Sequence, residues 1–230
     1  MCSISTEKRS MFKSITHVIY DMDGLLLDTE SLNERVNSEI VERYGKTFSN
    51  EIKIAIAGTT AINSAQTIID TLQLPLTVKE YLTARNKLLY PLYSTAQPLP
   101  GTIELIQHLA RYNIPQAIAT SSSRENFAMK TVNHQDWLQY FKTITLGDDR
   151  AIKQGKPAPD IFLLTAQRLN AQPQNCLVFE DSRSGMEAAI AAGMSVVVVP
   201  DPVVNKELFS AADLVLNSMK EFDPKMITAE

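Results

Sequence analysis

Cysteine is nearly absent from this chain, with two in 230 residues. Neither supports a disulfide framework, because Cys2 stands in a polar terminus and Cys176 inside an apolar run that reads as a core strand. Long apolar runs are missing as well. No segment reaches the roughly twenty residues that a bilayer-crossing helix needs, and the first sixteen residues are polar and mixed, unlike a secretory leader. Met11 would serve equally as a start. Clusters of Lys or Arg are also lacking, and 22 basic against 26 acidic residues leave a formal charge of −4. That balance carries no electrostatic footprint for nucleic acid or an acidic membrane. The three histidines, His17, His108 and His134, show no metal-ligand spacing and read as structural. What remains is a cytoplasmic protein, expected to be a monomer, whose partner is a small molecule.

Apolar residues make up 44% of the chain and charged ones 21%, enough for one large domain or two unequal ones. Short apolar runs recur at His17–Tyr20, Gln116–Ala119, Thr143–Leu146, Asn175–Phe179, Val196–Val199 and Leu214–Leu216, and read as strands buried on both faces. Helix-period stretches lie between them at Thr102–Tyr112, Arg124–Asn133, Pro159–Leu169 and Ser184–Ala192. The alternation predicts a doubly wound α/β fold. One interval breaks it. About seventy residues separate the first strand from the second and read only as helices: one from Glu30 with Leu32, Val36, Ile40 and Tyr44 along a face and Gly45 as its stop, then Ala61–Leu72 and Val78–Tyr90. Gln97-Pro98-Leu99-Pro100-Gly101 forms the return. The expected division is a core of 1–29 and 99–230 with a helical insertion of 30–98.

Ligands of open α/β sheets bind at the carboxyl ends of the strands. There the sequence places Asp21-Met22-Asp23-Gly24, Thr120-Ser121-Ser122 and Glu180-Asp181, with Gly155-Lys156-Pro157 after the third strand. These residues can handle a phosphate. A carboxylate attacking a phosphate dianion meets like-charge repulsion, which a divalent cation such as Mg2+ on oxygen ligands offsets; Asp21 and Asp181 are natural ligands. Lys156 would neutralise remaining charge, and the hydroxyls and N–H groups of Thr120 to Ser122 would hold phosphate oxygens. Two carboxylates so close to a metal and a lysine can differ in pKa, letting one act as nucleophile and the other as a proton shuttle.

The stretch Val18-Ile19-Tyr20-Asp21-Met22-Asp23-Gly24-Leu25-Leu26-Leu27-Asp28-Thr29-Glu30 resembles the first motif of the haloacid-dehalogenase-like (HAD) phosphatases. The other three motifs follow in that family's order, as Ala119-Thr120-Ser121-Ser122, Gly155-Lys156-Pro157-Ala158-Pro159-Asp160 and Val178-Phe179-Glu180-Asp181-Ser182. The resemblance spans nearly the whole chain and implies a Rossmann-like core with an all-helical cap. It also implies an aspartyl phosphate on Asp21, acid/base work by Asp23, and Mg2+ held by Asp21, the Asp23 carbonyl and Asp181, with Glu180 as a direct or water-mediated neighbour. Gly24 belongs to the same loop beside the phosphate. Gly58-Thr59-Thr60 resembles the cap loop that reaches toward substrate, which makes Thr59 and Thr60 candidate contacts. Some sugar-phosphate relatives carry a basic residue there, and Arg183 stands where proline is common. Leu25-Leu26-Leu27, Lys130-Thr131 with His134, and Leu146-Gly147-Asp148-Asp149 look like the pseudouridine-5'-phosphatase group and its glycerol-phosphatase relatives. The expected activity is hydrolysis of a small phosphorylated metabolite: pseudouridine 5'-phosphate, a glycerol phosphate or a sugar phosphate. A phosphomutase of the beta-phosphoglucomutase kind and a phospho-accepting signalling receiver are the alternatives.

Overall fold

The computed structural model describes Phe12 and residues 14–228; Cys2 and Met11 lie outside them. Among the described residues the strands are β1 (His17–Tyr20), β2 (Gln116–Thr120), β3 (Phe141–Leu146), β4 (Cys176–Glu180), β5 (Ser195–Val198) and β6 (Leu214–Val215). All pair in parallel, in the order β3-β2-β1-β4-β5-β6. Successive side chains of a strand point to opposite faces of a sheet, and here both sets are apolar. Val18, Tyr20, Leu177 and Phe179 enter one buried cluster, while Ile19, Cys176, Val178 and Val196 enter the other. A sheet apolar on both faces must be covered on both.

The helices are α1 (Glu30–Glu42), α2 (Asn50–Ile56), α3 (Ala61–Leu72), α4 (Val78–Leu89), α5 (Thr102–Arg111), α6 (Arg124–Thr131), α7 (Gln135–Leu138), α8 (Asp160–Arg168) and α9 (Arg183–Ala191). Leu105, Ile106 and Leu109 of α5 cover one face of the sheet. Ile161 and Phe162 of α8, with Met186 and Ala189 of α9, cover the other. This two-sided cover makes the fold a doubly wound α/β sheet.

Helices α1 to α4 lie between β1 and α5 and bury a cluster of their own, built on Val36, Ile40, Ile68 and Tyr81. The Tyr81 hydroxyl donates to Asn37 Oδ1 at 3.0 Å, which satisfies its polar end inside that cluster. Local chemistry sets the helix starts. Thr60 accepts from the Asn63 N–H to begin α3, and Thr77 with Glu80 forms a capping box at α4. Two expectations about this region change. Tyr44 is not on the buried face, because α1 stops at Glu42 and leaves Tyr44 39% exposed in the turn beyond. The helix α2 was not expected; its seven residues are too few to display a 3.6-residue period. Elsewhere the element ends differ from expectation by one or two residues, as frayed ends do.

In this strand order the connections reverse direction between β1 and β4, which opens a crevice at their carboxyl ends. Asp21 follows β1 directly and Glu180 ends β4. The topology therefore sets the two acidic motifs side by side.

Candidate active site

The Asp21 N–H bonds to the Phe179 carbonyl at 2.9 Å, extending the sheet ladder one residue past β1 and fixing where the carboxylate emerges. Its Oδ1 lies 2.5 Å from Lys156 Nζ. Lys156, in the loop between β3 and α8, also meets Glu180 Oε1 at 2.5 Å and donates to the Ala119 carbonyl at 3.2 Å. Burial alone would depress this ammonium, but Asp21 and Glu180 outweigh it and hold it above the ordinary lysine range. Burial pushes the Asp21 carboxyl up to about 7, opposed by Lys156 and reinforced by the charges of Glu180 and Asp23.

Glu180 is completely buried. Its Oε1 takes Lys156, while its Oε2 accepts from the N–H groups of Asp181 and Ser182 and from the Ser182 hydroxyl, at 3.0 to 3.1 Å. Both oxygens are therefore engaged within the protein. Gly185 makes room for them, since a Cβ there would collide with the Glu180 carboxyl. Asp181 is the opposite case. Burial and the negative charges of Glu180, Asp21 and Glu30 push its carboxyl well above the usual range, and of its strongest electrostatic influences only Lys156 acts the other way. Gly24, at a φ of +78°, carries the first-motif turn so close to Asp181 that any Cβ would meet that carboxylate. The donor set fits a hard divalent cation. Asp21 and Asp181 supply carboxylate oxygens, the turn at Gly24 brings the first motif against Asp181, and the excess negative charge is what such an ion relieves. Among the described residues no cluster of three or more His, Cys, Asp or Glu side chains is gathered for a metal.

Asp23 faces away from that acidic group. Its Oδ2 accepts from the Ser122 hydroxyl at 2.8 Å and the Thr120 hydroxyl at 3.4 Å, and its Oδ1 meets Lys130 Nζ at 2.5 Å. The Ser122 N–H donates to Thr120 Oγ1 at 3.1 Å, closing the turn after β2. Ser121 is exposed and lines the cavity. In the sequence Lys130 stands only as a mark of one branch, with no local signal that sets it against Asp23. It stands seven positions after Ser123, which caps α6, so about two helical turns bring it back to the face of the loop from which the helix springs, its side chain tilting toward the helix start. A lysine in a last helical turn otherwise reads as an ordinary complement to the helix dipole.

Above these residues lies a cavity of about 500 Å3, walled on one side by the insertion. Thr59 lines it, with its hydroxyl donating to the Ile56 carbonyl at 2.7 Å. Thr60 does not line it; its side chain is spent on capping α3. Arg183 stands at the rim, with Nε 2.8 Å from Glu187 Oε1. The insertion adds Arg85, whose Nη2 donates to Asn33 Oδ1 at 2.6 Å, and Lys53, 2.9 Å from Glu34 and 3.4 Å from Asp201. The expected cap contacts omitted both. They lie one on α4 and one on α2, a helix without a sequence signature, and only the packing of the insertion aims them inward.

A doubly wound sheet with an acid pair, a hydroxyl turn and a buried lysine at its switch point, roofed by an inserted helical layer, is the arrangement of an α/β enzyme equipped to handle a phosphate. The family model described as haloacid dehalogenase-like hydrolase matches residues 18–199, and the chain belongs to that family. It is 40% identical over 217 residues to (DL)-glycerol-3-phosphatase 2 of Arabidopsis thaliana, an alignment covering 92% of this chain and 90% of the relative. It is 39% identical to a Drosophila melanogaster protein named "Probable pseudouridine-5'-phosphatase", with 94% of each chain covered. Among solved structures, CbbY from Rhodobacter sphaeroides in complex with phosphate superposes with a TM-score of 0.67 at 27% identity, covering 90% of this chain and 96% of that one.

Proposed function

We propose that this chain hydrolyses the phosphomonoester of a small polyhydroxylated metabolite, a glycerol phosphate or a nucleoside 5'-phosphate such as pseudouridine 5'-phosphate, through a phosphorylated Asp21. That it is a phosphatase of small phosphorylated metabolites follows from its family and relatives. The observation that carries the mechanism is the separation of the two acids: Asp21 pairs with buried Lys156, whereas Asp23 is held by Lys130 and the hydroxyls of Ser122 and Thr120. Two carboxylates two residues apart in the chain thus occupy unlike surroundings, which supports separate roles for them.

An Asp21 carboxylate oxygen attacks phosphorus, the bond from phosphorus to the alcohol oxygen breaks, and Asp23 delivers a proton to that oxygen. Water then attacks the phosphorus of the acyl phosphate, giving its proton to Asp23, and the bond to Asp21 breaks to release inorganic phosphate. Lys156 offsets the charge gathering on the phosphoryl oxygens, and the turn Thr120 to Ser122, with the loop at Gly24, forms the cradle around them. Asp21, Asp181 and the backbone carbonyl of Asp23 would hold Mg2+, whose chemistry there is neutralisation of the phosphate dianion. For Glu180 the geometry favours another part: with both oxygens engaged, it orients Lys156 and the Asp181–Ser182 turn. Thr59, Asn33 and Arg85 in the cavity wall suit the hydroxyls of a polyol or sugar; Thr60 is assigned to capping.

The test is phosphate release from a panel of glycerol phosphates, pseudouridine 5'-phosphate, hexose phosphates and phosphoglycolate with Mg2+. Release from at least one ester, abolished by Asp21→Asn, is the expected result. Phosphate retained in organic form would instead mark a mutase, and full turnover by Asp21→Asn would overturn the mechanism.

A further inference from the structure

We propose that Lys130 is a positioning residue for proton transfer, clamping the Asp23 carboxylate against the turn after β2 and tying it to the root of the helical insertion through Tyr93. The inference rests on the reading of Asp23 as acid and base. Lys130 is 5% exposed, and its ammonium has three neighbours: Asp23 Oδ1 at 2.5 Å, the Ser122 hydroxyl at 2.8 Å and the face of the Tyr93 ring at 4.7 Å. An ammonium withdrawn from water must be compensated on every side, and here carboxylate, hydroxyl and aromatic face do so together. Because Ser122 donates to the other oxygen of Asp23, Lys130 and Ser122 grip both carboxylate oxygens and fix the plane of the group.

Tyr93 gives the clamp its second end. It belongs to the short 3-10 segment Tyr90–Thr95, through which the chain leaves α4, and it is buried in the cluster of the insertion. The stretch after Lys130 fastens to the same segment. Asn133 Nδ2 donates to the Ser94 carbonyl at 2.9 Å, and His134 Nε2 lies 2.8 Å from the Ala96 carbonyl. Lys130, Asn133 and His134 therefore form one junction between the acid/base residue and the stalk of the roof, which gives a physical meaning to the Lys130-Thr131 and His134 pattern.

The test exploits leaving-group dependence. The kcat/KM value reports only steps up to departure of the alcohol; an alkyl ester needs its leaving oxygen protonated, while p-nitrophenyl phosphate does not. For Lys130→Met, kcat/KM on the best alkyl phosphate is expected to fall about tenfold further than on p-nitrophenyl phosphate, within the range that general acid catalysis supplies. Lys130→Arg keeps the charge but displaces it, and is expected to give an ester preference between wild type and Lys130→Met. Parallel losses on both esters, or no loss, would overturn the proposal; if Lys130→Met does not fold, the same two outcomes for Lys130→Arg decide it. Asp23→Asn separates the two readings. If it retains alkyl-ester turnover, the acid/base reading falls, whereas a dead Asp23→Asn beside Lys130 variants with unaltered ester preference removes only the Lys130 assignment.

Discussion

At the scale of single residues, Lys156 is both the partner of two buried carboxylates, Asp21 and Glu180, and the phosphate-facing cation of the proposed mechanism. Replacing it by Met would leave Asp21 and Glu180 buried without their cation, so Lys156→Met is expected to cost about 3–5 kcal/mol of stability in denaturant titration and to lower kcat by about 100-fold or more. Glu180 and Asp181 are neighbours in sequence with contrasting surroundings, and they yield a sharper comparison. Since Glu180 has both oxygens engaged inside the protein, Glu180→Gln is expected to leave the Mg2+ concentration for half-maximal activity within about threefold, while Asp181→Asn raises it by about 10–100-fold. Equal shifts in a magnesium titration would return Glu180 to the ligand set. Asp21, Asp23, Lys156 and Asp181 were legible in the sequence because each sits in a contiguous motif with a distinctive neighbour. Lys130 and Arg85 were not, because each reaches the site only through the turn of a helix and that helix's docking.

Secondary-structure elements position these residues through their ends. The helices α6 and α9 begin at Ser123 and Ser182, whose side chains accept from Asn126 and Gly185, and each springs from a loop that touches the site. Gly185 in the first turn of α9 is the closest approach. A methyl group there would overlap the Glu180 carboxyl, so Gly185→Ala is expected to destabilise by about 1–3 kcal/mol and to depress activity by shifting the partner of Lys156; unchanged thermal unfolding and kinetics would contradict the packing. The capping box at α4 is a milder case. Thr77→Ala is expected to cost about 1 kcal/mol without altering turnover, because Thr77 lies away from the cavity wall. Strands and long helices were readable from apolar periodicity. The seven-residue α2 and four-residue α7 were not, because a pattern that repeats every 3.6 residues needs two or more turns to show.

Across the whole molecule, the insertion and the sheet meet in a cavity lined by more acidic than basic side chains. The Asp21 carboxyl stands at about 7 against an ordinary 3.8. Between those values the folded protein keeps a proton that the unfolded chain has released, so this group's contribution to stability declines as pH rises from about 4 to about 7. If Asp21 is a Mg2+ ligand, as proposed, the ion displaces that proton, and the rise in Tm on adding Mg2+ is expected to be larger at pH 8 than at pH 5 by calorimetry. A gain independent of pH would count against Asp21 as a ligand. Lys53 of α2, bridging Glu34 and Asp201, spans the two halves of the molecule; being partly exposed, the bridge is worth about 0.2–1 kcal/mol. By itself the sequence determined the alternation of strands and helices, the helical insertion and the acidic, hydroxyl and lysine motifs, because each is a local pattern of polarity or a contiguous run. Only the tertiary structure decided that Glu180 faces Lys156, that Lys130 grips Asp23, that Thr60 caps a helix instead of facing the cavity, and that Arg85 and Lys53 line it. Those outcomes depend on which side of an element faces the crevice, and that is set by packing between segments far apart in the chain.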